Sequence, residues 1–145
     1  MAKFDEILDT PDIIDEVTQL RLQTYSKMER SGRVALGLVV GLFALKLISE
    51  LLNPPIISFS FHYWYPVFDF LMSSGIYILM LILSFRYAKV AFVIGSACFL
   101  IIVVQSYLSY LPPNWGLMLM IQVLIASLFG VGIYGAFKKA AVFSN

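Results

Sequence analysis

Four apolar runs, near Val34–Leu52, Val67–Phe85, Val90–Leu111 and Leu117–Phe137, alternate with short polar or proline-bearing segments. Each can cross about 30 Å of hydrocarbon as a helix rising about 1.5 Å per residue. The runs are continuous and rich in Leu, Ile, Val and Gly, whereas barrel strands alternate over short stretches, so the pattern predicts helices. The expected fold is an all-α integral membrane protein: four transmembrane helices in two hairpins, preceded by a cytoplasmic amphipathic helix. Residues 1–33 form the expected cytoplasmic N-terminal segment, 34–137 the transmembrane bundle and 138–145 a cytoplasmic tail. "LLNPP" closes the first run and "YLPPN" the third; proline lacks the N–H that would continue a helix, so both are stop signals.

Ahead of the first run, Thr10 is placed to cap a helix opening at Pro11, with Asp12, Asp15 and Glu16 near its positive end. Ile13, Ile14, Val17, Leu20 and Met28 fall roughly on one side of that helix. "SGR" at 31–33 is expected to break or bend the chain before the membrane. The acidic start suits a protein partner, and the basic stretch 21–33 suits an anionic membrane surface. The helix is therefore expected either to lie along the membrane at its basic end and offer its acidic end to a protein, or to pack on its own bundle. Residues 1–33 hold no apolar core of a cleavable signal, so the first span is expected to act as its own insertion signal.

The cations orient the chain. Arg21, Lys27, Arg30 and Arg33 precede the first run, Arg86 and Lys89 lie between the second and third, and Lys138 and Lys139 follow the fourth. Residues 53–66 and 109–116 contain no Lys or Arg. The positive-inside rule then puts both termini in the cytoplasm, in a membrane expected to be a bacterial inner membrane. Phe59, Phe61, Tyr63, Trp64, Tyr65, Tyr107, Tyr110 and Trp115 gather on the other side, as an interfacial aromatic belt or a docking surface. Composition agrees: 60% of the 145 residues are hydrophobic and 13% charged, with a mean hydropathy of +0.86, against about a quarter charged in soluble domains. A net charge of +1 argues against a nucleic-acid partner. The expected partners are membrane lipids and another membrane protein or copies of the same chain.

Within the first run, "LKLISELL" places Lys46 and Glu50 one turn apart, where an isolated central Lys costs about 2.5–3.5 kcal/mol. Lys46 is expected to pair with Glu50 or, across the first hairpin, with Asp69. Asp69, Ser73 and Tyr77 recur at four-residue spacing, and Gln105 and Gln122 fall at similar height in the third and fourth runs. Together Lys46, Glu50, Asp69, Ser73, Gln105 and Gln122 form the expected polar layer in the outer third of the membrane. The inner half has few polar groups, with Ser84 and Tyr134 the main exceptions. An ion path needs such groups staged along its length, so a closed network or a shallow outward pocket is expected over a channel. Small residues at four-residue spacing, Gly37 with Gly41, Ala91 with Gly95 and Ala126 with Gly130, are the candidate helix-packing positions.

Catalytic chemistry is not evident. His62 is the only histidine and Cys98 the only cysteine, so neither bis-histidine haem ligation nor an ordinary zinc set fits within one chain. No nucleophile-elbow, phosphate-loop or zinc-helix motif occurs. The sequence implies no metal, cofactor or catalytic residue. The expected function is a non-catalytic subunit or assembly partner of a larger membrane complex, or a homo-oligomer. The alternatives are a small oligomeric pore or carrier, and a sensor of a lipid-like ligand, both using the polar layer.

Overall fold

A computed structural model of the chain describes residues 11–53, 64–109 and 115–144, with all their side chains except those of 11–14, 64–66, 109 and 115. Thr10, the expected cap, lies outside these residues, as do Phe59, Phe61, His62, Tyr63, Tyr110 and both proline pairs. The described chain forms four helices: α1 (Pro11–Leu52), α2 (Trp64–Leu83), α3 (Ala88–Ser109) and α4 (Trp115–Phe143). No strand occurs among the described residues. Helices α1, α3 and α4 are long and apolar enough to cross a membrane, while the apolar part of α2, Val67–Leu83, is shorter. The whole of α2 is 20 residues long, about 30 Å at about 1.5 Å per residue.

The first helix departs most from expectation. It continues unbroken through Ser31, Gly32 and Arg33 for 42 residues, about 63 Å. A mid-helix glycine costs about 1 kcal/mol against alanine, and contacts explain its place here. Gly32 is buried, and a Cβ built on it would lie 2.8 Å from the Phe92 ring. A Cβ on Gly132 of α4 would lie 2.5 Å from the Cα of Gly32, and one on Gly135 would lie 2.5 Å from the Cβ of Met28. The "SGR" glycine is therefore a close-approach point between antiparallel helices, where a hinge was expected.

Helix α1 packs chiefly against α4 and α2, and α3 bridges α4 and α2. The turn joining α2 to α3 is tight: the N–H groups of Arg86 and Tyr87 both donate to the Leu83 carbonyl, at 3.0 and 2.7 Å. This defines a turn end, around 84–87, and a loop end, where α1 and α3 finish and α2 and α4 begin. Between them Leu36, Tyr77, Phe92, Ile125 and Phe129 are fully buried. The remaining faces carry large apolar side chains in the open, among them Leu45, Met72, Ile101 and Met120. Exposed apolar area of this extent on all four helices is what a hydrocarbon surrounding would cover.

Candidate functional site

Toward the loop end, Lys46 Nζ donates to Asp69 Oδ2 at 3.0 Å and lies 3.7 Å from Glu50 Oε1. Both acids considered for Lys46 are thus engaged, with Asp69 the closer. The helical lean of side chains toward their own N-terminus brings Glu50 down onto Lys46, while Asp69, on an antiparallel helix, leans toward the same place. Ser73 is half-buried one turn beyond Asp69, and Tyr77 one turn further is fully buried.

Beneath the pair lies a cavity of about 600 Å3 between the four helices, lined by Phe43, Lys46, Tyr77, Phe99, Ser106 and Gln122 among others. Its volume is that of ordinary small-molecule sites, about 300–1,000 Å3. Tyr77 Oη and Gln122 Oε1 are buried without a hydrogen-bond partner, an arrangement that buried polar atoms rarely tolerate. Towards the turn end the cavity gives way to close packing. A Cβ on Gly95 would meet Leu36 at 2.8 Å and Phe129 at 3.4 Å, and the Phe99 and Phe129 rings pack tilted at 41° with centroids 6.0 Å apart.

Gln105 does not join this group. It is exposed on α3 and lines a shallow apolar depression with Leu100, Ile101, Val104 and Leu108. Its neighbour Ser106 faces the cavity instead, because similar depth along a helix does not fix direction around it. The small-residue pairs divide likewise. Ala91 and Gly95 lie in the core. Gly37, Gly41 and Gly130 have no atom within 4 Å of a built Cβ, and Ala126 is exposed. The crossing of α1 and α4 uses Gly32, Gly132 and Gly135, which sequence reasoning missed. Three glycines within residues 130–135 were the available signal.

A second polar cluster, also missed, occupies the turn end. Glu29 is only 6% exposed. Its Oε2 accepts from Lys139 Nζ at 2.8 Å and lies 3.6 Å from Arg33 Nη2. Arg33 also donates to the Ser84 carbonyl at 3.4 Å and stacks over the Phe85 ring, 4.7 Å from its centroid. Among the described residues no three His, Cys, Asp or Glu side chains gather as a metal would require. No protein-family model, curated protein or solved structure matches this chain.

The loop-end pair makes a separable prediction. Lys46→Met should destabilise the protein, and adding Asp69→Leu should recover much of the loss, since the double change strands no charge. Coupling between Lys46 and Asp69 should be about 1–2 kcal/mol, the upper range for polar contacts between helices in bilayers. Coupling to Glu50, one turn away in the less favourable order, should stay at about 0.3–0.5 kcal/mol. Denaturant unfolding of the two double-mutant cycles in detergent measures both, and a stronger coupling to Glu50 would reverse the assignment.

Proposed function

We propose that the protein is a non-catalytic, multi-pass membrane protein, with four spans and both termini in the cytoplasm, that acts as an assembly partner in a larger membrane complex. The observation that carries this reading is the reach of α1 beyond its own bundle. Gly135 of α4 meets Tyr25 and Met28, and α4 runs to Phe143, so among the described residues antiparallel pairing leaves the start of α1 without a neighbouring helix. That segment exposes Val17 at 46% and Leu20 at 66%, beside the exposed acids Asp15 and Glu16. An apolar stripe edged with acids fits a protein surface better than an anionic bilayer. The cation distribution supports the orientation.

A second reading, a sensor of a lipid-like ligand, is favoured by the loop-end cavity with its unpartnered Tyr77 and Gln122. A pore through one chain draws no support from the close packing of Leu36, Gly95 and Phe129 on the turn side of that cavity.

Deletion of residues 2–20 tests the assembly reading. The shortened chain should remain in the membrane fraction with the melting behaviour of the full chain, because the contacts at Tyr25, Met28 and Gly32 are kept. Recovery of associated membrane protein after mild-detergent purification should fall at least about tenfold, the loss of about 1.4 kcal/mol. Unchanged recovery would remove the docking role from α1.

A further inference from the structure

The turn end carries a recess of about 370 Å3 whose walls bring together Glu29, Arg33, Arg86, Lys89 and Lys139. We propose that it binds the phosphate headgroup of one anionic lipid. Four cations face a single carboxylate there, leaving three positive charges in excess. The carboxylate is already held by Lys139 at 2.8 Å and Arg33 at 3.6 Å. Arg86 and Lys89 have no acidic partner among the described residues. Arg33 Nε is buried with no hydrogen-bond acceptor.

The backbone adds to the charge. The first turn of α3, at Ala88, Lys89 and Val90, forms part of the recess. The opening N–H groups of a helix have no acceptor within it, and they stand at the positive end of its dipole. Cationic side chains with helix N–H groups are the usual donors to a phosphate.

The surroundings choose the source of that phosphate. Phe85, Tyr87, Val90 and Phe143 border the same recess and are 72%, 61%, 56% and 72% exposed. Apolar side chains beside a basic recess suit a headgroup with acyl chains attached and give a free anion nothing. The site lies at the opposite end of the bundle from the cavity beneath Lys46, and it does not depend on either functional reading beyond a membrane setting.

The test uses the full chain in mild detergent, with retained lipid counted by native mass spectrometry during titration with phosphatidylglycerol. One phosphatidylglycerol per chain should be held, and phosphatidylcholine should not replace it. Arg86→Gln with Lys89→Gln leaves the Glu29–Lys139 contact intact and should weaken retention about twenty-five-fold, at about fivefold per cation. Because Lys89 also stands over the Phe137 ring, Arg86→Gln alone is the second variant, with about fivefold expected. Lys27→Gln with Arg30→Gln removes the same charge from exposed positions outside the recess and should leave retention unchanged. Wild-type retention in the Arg86/Lys89 variant, or equal losses in both double variants, would overturn the proposal. So would inorganic phosphate displacing the lipid at equal concentration, which would mark a site for a free anion.

Discussion

Replacing Gly132 by leucine should force α1 and α4 apart and cost at least about 3 kcal/mol, the upper end of ordinary overpacking. A Cβ there would sit 2.5 Å from Gly32 Cα and 2.7 Å from Gly32 N. Backbone atoms cannot turn aside as a side chain does, so the helices themselves must move. Gly130→Leu is the internal control: nothing lies within 4 Å of its Cβ, and the change should stay within about 0.5 kcal/mol. Gly32→Ala provides a contrast, because its obstacle is the Phe92 ring at 2.8 Å. Shrinking that ring with Phe92→Leu should relieve the alanine but should not relieve Gly132→Leu. Unfolding in a detergent titration measures all four, and equal effects at Gly130 and Gly132 would show that the crossing does not carry stability.

Removing Lys139 should be the other large loss. Lys139→Met leaves the Glu29 carboxylate, whose side chain is 8% exposed, with Arg33 at 3.6 Å as its remaining cation. Losing a hydrogen bond to a charged group costs about 1.5–3 kcal/mol. Glu29→Gln should cost less, since Lys139 and Arg33 are 32% and 26% exposed and their heads can reach water along flexible stems. Glu29→Gln combined with Lys139→Met should cost less than the sum of the two single changes. The order of the single mutants in unfolding free energy is the readout. A reversed order would mean that the cations, and not the acid, hold the buried end of the contact.

These two effects also mark where the sequence was legible and where it was not. Helix positions followed from the apolar runs because hydrophobic length is a local property. Lys46 and its candidate acids were legible because a charge inside an apolar run must find a partner nearby, and Glu50 and Asp69 were the acids within reach. Glu29 gave no such signal. It lies among Lys27, Arg30 and Arg33 in a stretch that reads as solvated, and its partner is 110 residues away. Gly32 was read as a breaker because propensity penalises it, and only the approach of α4 gives it a place inside a helix. Gln105 was grouped with Lys46 by depth, yet the exposed row of Ile101, Val104 and Leu108 determines which way it faces.

The pairing of the first helix with the last has a consequence for synthesis. Gly32 and Gly132 stand 100 residues apart, so at about 5–20 residues per second the ribosome needs about 5–20 s between them. During that interval Gly32 of α1 and the carboxylate of Glu29 have no α4 to meet. Whatever shields them in the nascent chain must release them when α4 arrives, and a chain truncated before Trp115 would display them permanently. Such a chain would present Gly32 uncovered by α4, one turn from a Glu29 carboxylate held by Arg33 alone.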